Sequence, residues 1–230
     1  MEISEHFQEL RRRLLICIVC FAAIAATAFA CFPRLWHFVQ IPILQADTVT
    51  IVNLSPAEGV SVSILVSCMA AAFATSPLFL YHAYAFCAPA VQKENLRFFF
   101  ASYLSACALF FFGAFFAYFC AIPLLFQFLL NYSDVKQLWS QTAYVSFLFR
   151  FEILFAVLFQ MPVACALWGR SGISDRNFLW KHFRIILFLI VLISALVTPP
   201  DLPSLFWMAI PMFLLFLLST FTYRLAWRKK

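Results

Sequence analysis

Six apolar runs separated by short polar gaps organise this chain, at about 14–32, 60–90, 98–130, 142–168, 185–198 and 204–223. A helix needs about 20 apolar residues to cross about 30 Å of hydrocarbon, and the first four runs satisfy that length. The pattern predicts an all-α polytopic membrane protein, one membrane domain over 1–230. Pro77 in the second run and Pro123 in the long third run predict bends, because a proline removes a backbone bond. The fifth run is different. Ile185 to Thr198, between Arg184 and Pro199, is only fourteen residues, or about 21 Å of helix. Thr198-Pro199-Pro200-Asp201 then stops it, and the chain turns into the sixth run. The fifth and sixth spans are therefore expected to be short, a hairpin that reaches the far face through a locally thinned bilayer. A re-entrant hairpin that never crosses is the competing reading.

Charge fixes the orientation. Thirteen of the 16 Lys and Arg residues fall in alternate gaps: Arg11, Arg12 and Arg13; Lys93 and Arg97; Arg170, Arg176, Lys181 and Arg184; and Arg224, Arg228, Lys229 and Lys230. Short basic loops stay cytoplasmic during insertion, so six spans are expected with both termini inside. The basic cluster is followed by a full-length span without a small-residue cleavage site, so this span is expected to be retained as the first helix.

A composition of 65% hydrophobic and 11% charged residues excludes an ordinary water-soluble fold. Four glycines leave no glycine-rich phosphate loop. The net charge of +6 lies beside the spans, where anionic headgroups account for it better than nucleic acid does. Eight cysteines lie within or at the edges of apolar runs. Cys17 and Cys20 form a CxxC inside the first span and read as small apolar side chains. His6, His37, His82 and His182 are scattered, and no Ser/His/Asp order or HExxH appears. No enzyme, metal or cofactor is expected.

Polar residues inside or beside the spans are the candidates for function. The gap at 33–59 holds Pro33, Pro42, Asn53, Ser55, Pro56 and Glu58, and its Trp36 and Phe38 predict a cap-like interfacial element. The fourth run contains Arg150, Glu152 and Gln160. Arg150 and Glu152, two residues apart, should point to different faces and snorkel to the outer surface. Gln160 precedes Met161-Pro162 and could satisfy the carbonyl that Pro162 frees, bond to a neighbouring helix, or line a polar recess. These three would be the site of the alternative function, a secondary transporter of a small solute. The absence of an internal repeat weighs against it. Glu9 and Glu94 each read alone as solvated acids, yet both fall on the predicted cytoplasmic face close to the membrane.

Several segments resemble the TatC family, the polytopic core subunit of the twin-arginine protein translocase. His6-Phe-Gln-Glu9-Leu10-Arg11-Arg-Arg13-Leu14 is close to H-L-x-E-L-R-x-R-L. Ser55-Pro56-Ala-Glu58 resembles S-P-x-E. Pro77-Leu-Phe-Leu-Tyr81 through Phe86-Cys-Ala-Pro89 resembles P-x-x-x-Y-x-x-W-x-F-x-x-P. Phe112-Gly113 through Pro123 and Tyr144 through Val163 resemble the third and fourth spans, and Thr198-Pro199-Pro200-Asp201 through Pro211 resembles T-P-P-D-x-x-S-Q…A-x-P. The resemblance covers nearly the whole chain. It implies a receptor in the cell inner membrane that binds twin-arginine signal peptides of folded cargo at the cytoplasmic face. It also implies TatA-like and TatB-like single-span partners, the lipid bilayer, self-association, and export driven by the protonmotive force. It places Glu9, Arg11, Arg13, Phe86, Glu94 and Asn95 at the peptide site, and gives Pro42, Glu58, Gln160 and Asp201 structural or transport roles. The chain departs from the family pattern in four places. Asn95 stands at the usual loop glutamate, with Glu94 beside it. Gln160 replaces the acid of many relatives, Leu205 replaces a Gln, and Leu217 stands where some members carry Glu.

Overall fold

The computed structural model describes residues 3–44, 49–87, 96–130, 137–172, 174–197 and 202–227. Glu94, Asn95, Thr198, Pro199, Pro200 and Asp201 lie outside the described residues. By length and composition, five helical stretches among the described residues are long and apolar enough to cross a membrane: Phe7–Ala30, Glu58–Phe86, Arg97–Gln127, Gln141–Ser171 and Leu205–Ala226. A shorter apolar stretch, Phe183–Leu196, is the fifth in chain order. The chain is a multi-pass membrane protein.

It divides into two compact units, 1–107 with 135–149 and 108–134 with 150–230. In the first, α1 (Ile3–Ala30) packs along α3 (Glu58–Cys87). Cys17 on α1 and Val62, Val66, Met69 and Ala71 on α3 are buried. Most of α1 stays uncovered, with Leu14, Ile18 and Val19 about half exposed or more, as a helix facing lipid can be without penalty. The helix α3 is continuous through Pro77. The carbonyl of Phe73, which Pro77 cannot serve, accepts the Ser76 hydroxyl at 2.8 Å.

The predicted cap is a helix, α2 (Phe32–Leu44), packed on α3. Val39, Pro42 and Ile43 are buried, and the Tyr144 hydroxyl donates to the Val39 carbonyl at 2.7 Å. The fold is not purely helical. Strand β1 (Val49–Val52) pairs in parallel with β2 (Gln137–Ser140), Val49 opposite Gln137 and Val52 opposite Ser140. Both lie in gaps between apolar runs, where backbone groups lack a helix to satisfy them and pair with each other instead.

The predicted bend at Pro123 is a change of helix type. The helix α4 (Leu96–Phe116) passes into a π-helical turn, Ala117–Ala121, and then α5 (Ile122–Leu130). Ile122 N–H donates to the Ala117 carbonyl, and the widened turn ends one residue before the proline that could not have continued a regular ladder. The fourth run is likewise broken, into α6 (Gln141–Leu158) and α7 (Met161–Ser171) by a turn at Phe159 and Gln160. Pro162 sits in the first turn of α7, where its missing N–H is tolerated.

In the second unit α7 packs along α10 (Leu202–Ala226). A Cβ on Gly169 would lie 2.5 Å from the Tyr223 carbonyl oxygen, so only glycine permits this approach. Gly172, at φ 65°, closes α7 in the left-handed conformation. The buried Tyr223 hydroxyl donates to the Asp175 carbonyl at 2.8 Å, and Trp227 Nε1 donates to the Ser174 carbonyl at 2.9 Å. The short α8 (Phe178–Lys181) lies in the same loop. The Lys181 ammonium beside Asp175 holds that carboxyl below the usual carboxylate range. The helix α9 (Phe183–Val197) has 15 residues, about 22 Å and short of a bilayer, as the sequence predicts. The sixth span is not short. At 25 residues α10 is about 37 Å long, and it continues through Pro211 and past both ends of the predicted run.

Candidate functional site

On the first turns of α1, Glu9 and Arg13 are spaced i,i+4, the separation at which helix side chains meet. Arg13 donates twice to one oxygen, Nε at 3.1 Å and Nη2 at 2.5 Å from Glu9 Oε1. Among the described residues Glu9 Oε2 has no hydrogen-bond donor, and the Glu9 side chain is 29% exposed. Arg13 Nη1 also reaches the His82 carbonyl at 3.5 Å, tying this pair to the last turns of α3. Phe86 is half-buried one turn beyond His82 on the same helix. Glu9, Arg13 and the Phe86 end of α3 are thus brought together. Arg11 is not: it is exposed, and two residues along a helix turn it to the far side from Glu9.

Sequence reasoning passed over two features here. The Glu9–Arg13 pairing was available from its spacing. The His82 ring was not, because its importance lies in burial: neither nitrogen has a partner among the described residues.

A second carboxylate is held quite differently. Glu58 begins α3 and is 6% exposed. Its Oε2 accepts Leu54 N–H at 2.5 Å, and its Oε1 accepts Thr142 N–H at 2.8 Å and the Ser140 hydroxyl. Thr142 is in the first turn of α6, so one carboxylate serves the N-terminal ends of two helices, where negative charge is favoured. Pro42 lies in the same unit, buried on α2.

In the second unit Gln160 is half-buried at the break, and its Nε2 donates to the Ala156 carbonyl at 3.4 Å. That carbonyl belongs to the preceding turn and is not the Leu158 carbonyl left free by Pro162. The snorkelling expected of Glu152 does not occur. Arg150 is exposed, whereas Glu152 is 4% exposed, beside Tyr118 of the π-helical turn. The rotation of about 200° between them along α6 separates a residue facing outward from one packed against the neighbouring span. Among the described residues no three His, Cys, Asp or Glu side chains converge on a point that could hold a metal.

These features coincide with a known family. The model of the Sec-independent protein translocase protein (TatC) matches residues 5–211. The TatC protein of Aquifex aeolicus (strain VF5) is 33% identical, with the alignment covering all of this chain and 98% of that one. That of Escherichia coli (strain K12) is 32% identical over 95% of this chain and 86% of its own. A crystal structure of the twin arginine translocase receptor TatC superposes with a TM-score of 0.86 at 30% identity, covering 96% of this chain and 99% of that one. A solute transporter built on Arg150, Glu152 and Gln160 is not favoured by these matches. The chain belongs to the TatC family of Sec-independent protein translocase proteins.

Proposed function

We propose that this protein binds twin-arginine signal peptides through Glu9, using the carboxylate oxygen that Arg13 leaves open. A guanidinium is planar, permanently charged and suited to carboxylate recognition. Glu9 is half-sheltered, carries one engaged and one open oxygen, and sits at the end of a membrane helix. That open oxygen is the observation that carries the reading. Phe86 supplies an apolar contact nearby, and Glu94 or Asn95 the second acceptor. Positive-inside reasoning puts this end, both termini and the loop at 172–182 in the cytoplasm, with six crossings of the cell inner membrane.

Other components of the translocase complete the machine. We assign them to TatA-like and TatB-like single-span proteins recruited beside α9. A helix of about 22 Å thins the bilayer around it and favours other short spans nearby. Export of folded cargo then draws on the protonmotive force, with no covalent chemistry at the receptor. Asp201 would act at the outer face, in transport more than in first binding.

The reading is tested by the affinity of the purified protein for a fluorescent signal peptide. A twin-arginine peptide should bind at least about tenfold more tightly than its twin-lysine counterpart, since lysine lacks the planar fork. Equal affinities would reject the assignment.

A further inference from the structure

The outward face of α1 carries a second arrangement of charge, separate from Glu9. Gln8, Arg11, Arg12, Leu15, Ile16, Val19 and Cys20 line a groove of about 600 Å³. Their spacing puts them on one stripe of the helix. Arg11 and Arg12 are exposed, and among the described residues neither has a hydrogen bond or ion pair, whereas Arg13 is committed to Glu9. Leu15 is 50%, Ile16 39% and Val19 65% exposed.

The order along the helix is informative. Going toward the membrane interior come an amide at Gln8, two guanidinium groups about 5 Å further on, and an apolar strip over the next 10 Å or so. A glycerophospholipid presents the same sequence: a polar headgroup substituent, a phosphate, then acyl chain. We propose that this face of α1 binds one anionic phospholipid, its phosphate held by Arg11 and Arg12 and an acyl chain lying along Leu15, Ile16 and Val19. Charge selects the headgroup, since two cations with no counter-ion among the described residues attract an anionic lipid over a zwitterionic one. The apolar strip selects a lipid over a free phosphate. The inference needs α1 to span the membrane and does not depend on peptide binding at Glu9.

Native mass spectrometry of the detergent-purified protein, titrated with phosphatidylglycerol or phosphatidylcholine, tests this. The wild-type chain should retain phosphatidylglycerol preferentially. R11Q/R12Q should lower that retention on the order of thirty-fold, from two near-surface charges, and R11K/R12K should restore most of it. R176Q/R184Q removes the same charge from exposed positions elsewhere and should leave retention unchanged. Soluble glycerophosphoglycerol should fail to compete. Equal loss in both glutamine pairs would reduce the effect to general surface charge and overturn the proposal. So would competition by the soluble headgroup, which would leave the apolar strip no part. No lipid preference in the wild-type chain would also overturn it, and would favour an acidic protein segment as the occupant. Circular dichroism of each variant confirms that the helices are intact.

Discussion

Glu58 and Glu9 are both half-sheltered or buried acids at the ends of membrane helices, and the chain treats them in opposite ways. Glu58 receives three donors on its two oxygens, from segments before and far beyond it in sequence. Nothing else can approach it without breaking the fold. Among the described residues Glu9 receives one side chain on one oxygen, from the next turn of its own helix. A carboxylate filled by backbone N–H groups is a fastener. A carboxylate held by one exchangeable cation can exchange it for an incoming guanidinium, which is the role proposed for Glu9. The same functional group becomes structure or site according to how its acceptor capacity is used.

The largest effect should come from Glu58→Gln. An amide must turn an NH2 group toward either Leu54 N–H or Thr142 N–H, replacing an acceptor with a donor. We expect a fall of about 10 °C in thermal midpoint, measured in detergent, with peptide affinity of the folded fraction unchanged. Glu9→Gln should do the reverse. Twin-arginine peptide binding should weaken about tenfold or more, as for a lost charge-assisted bond. The midpoint should move by less than about 2 °C, because the pair it breaks is partly exposed. If Glu9→Gln unfolds the protein, the distinction fails.

Arg13→Gln sharpens the contrast. With its internal cation gone, Glu9 offers both oxygens, and peptide affinity should rise about threefold, the worth of a partly exposed ion pair. A fall would show that Arg13 positions the carboxylate instead of occupying it. Asp175 gives the smallest effect. Its carboxyl titrates below the ordinary 3.8 in the folded chain, so the Lys181 pair stabilises the loop above that pH and its contribution disappears as pH falls through the folded value. Asp175→Asn should slightly increase hydrogen exchange in 174–182 at pH 7. The difference should vanish in acid, once the pH has fallen through the lowered value of the folded carboxyl.

Much of the scaffold was legible in the sequence, because span length and hydropathy are local properties. The shortness of α9 follows from counting residues between Arg184 and Pro199. Pro123 marked where the third run departs from regular helix, whereas α3 continues through Pro77 and the break before Pro162 was not expected. Whether the result is a π-helical turn or a full break depends on packing that proline alone does not specify. The β1–β2 pairing was not legible. Val49–Val52 has strand-like residues, but its partner lies 88 positions later in register. Separations of 82 and 84 positions likewise hid the Ser140 and Thr142 bonds to Glu58. Burial of Glu152 depended on a neighbouring span bringing Tyr118 beside it, which no spacing within α6 discloses. At the proposed peptide site, the Glu9–Arg13 pair is an i,i+4 relation and readable in principle. The placement of α3 behind it is a tertiary contact.

The most direct test uses a photoreactive residue in place of Leu10, beside Glu9, or of Leu54, beside Glu58; both side chains are exposed. A radiolabelled twin-arginine signal peptide should crosslink from position 10 and not from position 54, and replacing its arginines with lysines should abolish the product. Equal or stronger labelling from position 54, or labelling from position 10 that ignores the lysine replacement, would contradict the assignment of Glu9 as the receptor.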